Sequence, residues 1–224
     1  MCNEHRRLVA LGQIPGDWSQ TRIPLRFPEG LPNLAPLDSI RIGDPTAIIR
    51  ASRDEPGAAE LVQRRWSWPG PTGKPVFNYR AEGREFPSGR CLIVADGFYE
   101  YTEAGPEPGT APKKRARKDR WLFTKRGEEW FGIAGLWRNS PVGEACTMLT
   151  VEPGPDVAPY HNRQIVVLDR ANWAAWLDPA REDAHVALMR LHAIAGRRAQ
   201  AIRQFQELRE ALQRELEASR RPSA

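Results

Sequence analysis

The chain has 224 residues, 41% of them hydrophobic, which is ample for a buried core and argues against a disordered polypeptide. No run approaches the roughly 18 apolar residues of a membrane span, the charged opening Met1-Cys2-Asn3-Glu4-His5-Arg6-Arg7 lacks the apolar segment of a secretory signal, and a cytoplasmic protein without a membrane partner is expected. The net charge of +5 is unevenly spread: residues 185–224 hold eight arginines against four glutamates, and residues 113–120 (Lys-Lys-Arg-Ala-Arg-Lys-Asp-Arg) carry +5, a pattern suited either to local phosphate contact or to a solvated loop.

Along the first hundred residues, prolines and glycines at Pro24, Pro28, Pro32, Pro36, Pro69-Gly70-Pro71 and Pro87 predict short strands and loops rather than helices. Apolar, β-branched and aromatic runs at 91–95, 121–124, 130–137, 147–151 and 164–168 predict a mostly antiparallel sheet, because the connections between them are too short for repeated helical crossovers. The segment between Tyr101 and Trp121, with Gly105-Pro106 and the basic run, predicts a long exposed hairpin loop. After Leu168 the period changes. Asp169 is placed to cap a short helix carrying Trp173, Trp176 and Leu177 on one face and ending near Pro179. A helical stretch from about Asp183 and a longer one with Ile202, Phe205, Leu208, Leu212 and Leu216 at steps of three and four predict a terminal helical hairpin. The expected architecture is α+β, mainly antiparallel β, with residues 1–183 as the principal domain and 184–224 as a helical appendage with a basic tail.

Three cysteines with no CxxC pair exclude a disulfide framework and a cysteine zinc site, and no His/Cys spacing supports any other metal. Cys91 and Cys146 lie in apolar strands and read as buried. Cys2 differs: loss of Met1 would leave a free α-amine beside a thiol, groups that titrate near ~8 and ~8.5. Such an aminothiol condenses with an aldehyde to an imine, which the sulfur closes into a thiazolidine. A terminal cysteine is also the nucleophile type of amino-terminal hydrolases, and an inert terminal thiol is the plain alternative. Supporting groups occur in three segments: Phe77-Asn78-Tyr79-Arg80-Ala81-Glu82, Ala95-Asp96-Gly97-Phe98-Tyr99-Glu100-Tyr101 and Ala158-Pro159-Tyr160-His161-Asn162-Arg163. Each alone has an ordinary structural explanation, Asp96-Gly97 as a turn for example. His5 reads as part of a charged terminus, and His185 and His192 as tail-helix residues. Trp66 and Trp68, one residue apart and next to Arg64 and Arg65, would share a strand face and could stack unpaired bases, or pack in the core.

Cys2, Asn33-Leu34-Ala35-Pro36, the Trp66 segment, Asn78-Tyr79-Arg80-Ala81-Glu82, the run from Arg90 to Glu100, Ala134-Gly135-Leu136-Trp137 and Ala158-Pro159-Tyr160-His161-Asn162-Arg163 stand in an order that resembles the SOS response-associated peptidase (SRAP) family over roughly residues 1–180. The resemblance implies a barrel-like fold and a DNA-damage response protein that detects abasic sites in single-stranded DNA, being nucleoid-associated when bound. It also implies autoproteolytic loss of Met1 and a thiazolidine crosslink through Cys2, without a cofactor. Carried onto this chain, Asn78 orients the terminal residue or opened sugar, Glu100 shuttles protons and His161 serves as acid or base. Arg80 and Arg163 hold phosphates, Trp66 and Trp68 stack against bases, and Asn33 and Pro36 join the DNA-binding set. Asn3-Glu4 stand where the family often has Gly-Arg, which puts an acidic residue in place of a phosphate-contacting one. Residues 185–218 resemble a bacterial transcriptional activator (TPR-like) helical hairpin, suited to a helical partner or self-association. The rival functions are a cysteine peptidase or amidase acting in trans and a non-catalytic DNA-binding module.

Overall fold

A computed structural model describes residues 2–103 and 118–178. The expected helical hairpin and most of the basic run lie outside them. The described chain runs β1 (Glu4–Arg7), α1 (Gln13–Trp18), β2 (Leu25–Arg26), β3 (Leu37–Arg41), β4 (Pro45–Ala51), β5 (Ala59–Trp66), β6 (Trp68–Pro69), β7 (Pro75–Val76) and β8 (Asn78–Arg80). It continues with β9 (Arg90–Ala95), β10 (Gly97–Glu103), β11 (Lys118–Phe123), β12 (Phe131–Ser140), β13 (Gly143–Val151), β14 (Gln164–Ile165), β15 (Val167–Leu168) and α2 (Trp173–Leu177). The fold is α+β and strand-dominated.

Strands β13, β12, β9, β4 and β5 pair in succession, and a parallel pairing of β13 with β5 closes them into a barrel. Closure removes the sheet edges that invite association. A second sheet, in the order β11-β10-β1-β3, adjoins it. Alternation along the barrel strands feeds two cores. Ile48, Val62, Ile93 and Met148 enter one with Trp66 and Phe98. Their chain neighbours Ile49, Leu61, Leu92 and Leu149 enter the other with Trp18, Trp130, Trp173 and Trp176. Burial on both faces explains why these strands read as continuous apolar runs.

Three expectations need correction. The Pro/Gly-rich opening does hold a helix, α1, because Pro15 falls in its first turn, where a backbone N–H has no intrahelical partner to lose. Asp96-Gly97 is not a hairpin turn: β9 belongs to the barrel and β10 to the second sheet, so the chain crosses between sheets there. A Cβ on Gly97 would lie 2.6 Å from Leu122 Cδ1, so glycine lets β11 approach. The helix expected after Asp169 forms, with Trp173, Trp176 and Leu177 buried, although Asp169 bonds Lys125 instead of capping it.

Candidate active site around Cys2

Strand β1 sits between β10 and β3, with Glu4 opposite Tyr99 on one side and Arg41 on the other. Asp96 fixes its far end. The carboxylate takes Arg6 Nε at 2.5 Å, the amide of Val9 at 3.2 Å and the amide of Leu8. This clamp sets the axial position of the strand and therefore of Cys2, two residues before it.

Cys2 is only 1% exposed and packs in the core cluster that contains Ile40, Trp66, Phe98 and Val157. Its thiol donates to the Glu4 carbonyl at 3.3 Å. Strand β8, running parallel to β13 with Asn78 opposite Met148, brings the Asn78 side-chain nitrogen to the Cys2 carbonyl at 2.7 Å. Asn78 Oδ1 is buried and has no hydrogen-bond partner among the described residues. An amide so fixed at one end keeps an acceptor available for a group entering the site. Burial pushes the Cys2 thiol up to about 12, and the charge of Glu100 adds to the effect. Burial also raises Glu100, to about 7, against the lowering influence of the positive amino terminus. A carboxyl near neutrality can accept or return a proton at cellular pH.

His161 is half-buried and its pKa is lowered, by burial first and then by the positive amino terminus. The positive amino terminus is thus among the causes for Glu100 and His161 alike. The Arg163 amide donates to His161 Nδ1 at 2.9 Å, so the neutral ring carries its proton on Nε2. Among the described residues no group of three or more His, Cys, Asp or Glu could hold a metal ion.

The structure redistributes the expected DNA-contacting residues. Arg163 is buried and committed inward: it bonds both Glu82 oxygens at 2.6 and 2.8 Å and the Thr150 carbonyl at 2.8 Å. It anchors the His161 loop instead of presenting a cation for phosphate. Trp66 is fully buried, its indole donating to the Phe77 carbonyl at 2.9 Å with His5 edge-on at 4.9 Å, and offers no free face to a base. Trp68 is also buried, and Ser67 at φ 105° separates it from Trp66, which lies on β5 of the barrel while Trp68 pairs with β7 in a separate ribbon. Arg80, Asn33 and Pro36 are exposed. Arg7 on β1 holds the Asn33–Pro36 loop by donating to the carbonyls of Leu34 at 3.2 Å and Ala35 at 2.9 Å.

Three features escaped the sequence reading. His5 is fully buried, bonded to Thr46 at 2.9 Å and pushed down to about 3 by burial, so it is a neutral core residue. Glu4 is buried too, with Ser39 at 2.5 Å, Arg120 at 2.9 Å and the Tyr101 hydroxyl on its carboxylate. Its negative charge is thus compensated inside a cleft of about 420 Å³ lined by Asn3, Glu4, Arg41, Ile42, Tyr101 and Lys118. Glu82, two residues beyond Arg80, is the counter-ion of Arg163, and only a contact 81 positions apart reveals it. A strand signal bounded by charged residues gave no hint of such pairings.

The architecture is thus a closed β-barrel whose adjoining sheet takes up the first residues of the chain, with the Cys2 carbonyl held by Asn78 and its thiol under the charge of Glu100. The chain belongs to the SOS response associated peptidase (SRAP) family, whose model matches residues 53–207. The match runs past residue 183, across the boundary expected from the sequence. The chain is similar to the abasic site processing protein YoqW of Bacillus subtilis, at 30% identity over 131 residues, 53% of this chain and 54% of that protein. It is also similar to the abasic site processing protein YobE of the same organism, at 32% identity over 98 residues, 43% of this chain and 42% of that one. The aligned chain therefore spans about half the length of the curated relatives it matches. Among solved structures, a protein of Bordetella bronchiseptica shares the fold with a TM-score of 0.56 at 21% identity, covering 84% of this chain and 93% of that one. A Bacteroides thetaiotaomicron protein does so at 0.59 and 15%, covering 84% and 85%.

Proposed function

We propose that this chain captures abasic sites in single-stranded DNA covalently through Cys2 once Met1 has been removed. The observation that carries the reading is the placement of Cys2, its carbonyl held by Asn78 at 2.7 Å and its thiol under the electrostatic influence of a near-neutral Glu100. The names of the curated relatives supply the substrate class. Hydrolysis of the Met1–Cys2 bond consumes one water and frees the α-amine. The amine adds to the aldehyde carbon of the ring-opened sugar, and loss of one water gives an imine. The thiol sulfur then bonds to that carbon while its proton passes to nitrogen, closing a thiazolidine. Glu100 relays protons in the cleavage and imine steps. Asn78 offers its amide to the sugar, and His161, carrying its proton on Nε2, donates to a sugar oxygen. Exposed Arg80 is the phosphate contact this reading retains.

Intact mass spectrometry after incubation with an oligonucleotide holding one abasic site tests the proposal. The expected species has lost Met1 and gained the oligonucleotide less one water. Retention of Met1, or undiminished capture after the α-amine is blocked, overturns it.

A further inference from the structure

Seven of the eight tryptophans are buried or half-buried; Trp121 alone is exposed, at 41%. It lies on β11, the edge strand of the second sheet, directly opposite Glu100. Residues opposed across an antiparallel ladder project from the same face. Trp121 therefore stands on the face that carries Glu100, at the rim of the Cys2 site. Its orientation is fixed twice: the indole N–H donates to Thr102 Oγ1 at 2.8 Å, and the Tyr160 ring packs against it with centroids 4.8 Å apart. Tyr160 is braced in turn by Phe123 at 5.3 Å, which stacks on Phe98 at 5.1 Å, and it immediately precedes His161. A braced aromatic cluster, with Tyr160 tilted 55° to Trp121 and 80° to Phe123, thus spans the segments that carry Glu100 and His161 and leaves Trp121 its exposed member.

We infer that Trp121, supported by Tyr160, is a stacking platform for the nucleobase next to the abasic sugar. The inference rests on the proposed capture of abasic single-stranded DNA. A base beside an abasic nucleotide has lost one stacking neighbour within its strand, and an aromatic ring at the rim replaces it. The chemistry of the face fits a base and not a phosphate, because Thr102 and Asp119, opposed in the ladder beyond Trp121, carry no positive charge. The two tryptophans singled out from the sequence, Trp66 and Trp68, cannot take this role from within the core.

The test uses single-stranded DNA with 2-aminopurine adjacent to a tetrahydrofuran abasic analogue, which has no aldehyde and reports the encounter alone. Titration with the Met1-free protein should quench the 2-aminopurine fluorescence, and Trp121→Phe should retain the quenching. Trp121→Ala and Trp121→Leu, the second keeping apolar bulk on the strand, should lose it and bind about 5- to 100-fold more weakly, the loss of one stacked base. Quenching and affinity equal to wild type in Trp121→Leu would overturn the platform. A parallel reaction with an aldehyde-bearing abasic strand separates the two readings: absence of adduct with the wild-type chain refutes covalent capture, while the quenching result still decides the platform.

Discussion

Removal of Glu82 distinguishes a structural Arg163 from a phosphate-binding one by the sign of the effect. Arg163 bonds both Glu82 oxygens and the carbonyl and hydroxyl of Thr150, at 2.6, 2.8, 2.8 and 3.1 Å. Glu82→Ala leaves the guanidinium with Thr150 alone. Breaking a buried pair from one side costs about 3–5 kcal/mol, and exposed pairs contribute about 0–1 kcal/mol. The side chains here are 11% and 25% exposed, so about 2–3 kcal/mol is expected. For a domain of this size that lowers the melting temperature by roughly 4–12 °C. The burial-opposed interaction with Arg163 also holds the Glu82 carboxyl below its ordinary range, so its contribution is present above that range and lost as pH falls through the lowered value. Because the Arg163 amide fixes His161 Nδ1, adduct formation should slow as well. Thermal melting by circular dichroism and adduct yield against time on a denaturing gel measure both effects. A free arginine released for phosphate would instead tighten DNA binding. Tighter binding with an unchanged melt would refute the anchoring role.

Arg80→Ala should weaken the encounter with DNA and reduce the salt dependence of log K by about 0.7 for one single-strand phosphate contact; an unchanged slope removes Arg80 from the interface. The rate of Met1 removal should rise between pH 6 and 8 with an inflection near 7, where Glu100 ionises in the chain that still carries Met1. Glu100→Gln should flatten that inflection and lower the rate by about 10²- to 10⁴-fold, and a retained inflection would assign the titration elsewhere. His5 is held near 3 in the fold, below its unfolded value, so the folded state should lose about 2 kcal/mol as pH falls from 6.5 to 5, with full stability above 6.5. Urea unfolding of wild type and His5→Gln at pH 7 and 5 checks this, and equal acid sensitivity in the two proteins would contradict it.

What the sequence disclosed depended on the range of the interactions involved. The runs 91–95 and 147–151 announce strands because both faces of β9 and β13 are buried, a property carried by neighbouring residues. The five-strand closure rests on Ala145 and Cys146 meeting Arg65 and Trp66, which no local period encodes. Residue type drew attention to Asn78, Glu100 and His161 as candidates, but residue type misled for Trp66 and Arg163, which the fold buries. Exposure decides whether an indole or a guanidinium faces DNA, and exposure follows from partners as distant as Glu82 and from the φ of Ser67. Trp121 went unselected for the same reason: its strand signal is ordinary, and its position opposite Glu100 comes from the β10–β11 register.

The burial that hides Cys2 also prepares its partner. Desolvation disfavours any anion, so it raises the thiol to about 12 and Glu100 to about 7, and the charge of Glu100 raises the thiol further. This coupling fixes the order of the proposed reaction. A protonated thiol is a poor nucleophile, so the α-amine, near ~8 in its ordinary state, must attack first. Protonation of the resulting imine places a positive charge on the atom two bonds from the Cys2 β-carbon, and that charge favours the thiolate that burial had suppressed. Sulfur becomes competent only after the aldehyde has been bound. In the proposed reaction the same environment therefore protects the thiol in the free protein and releases it once the sugar is held.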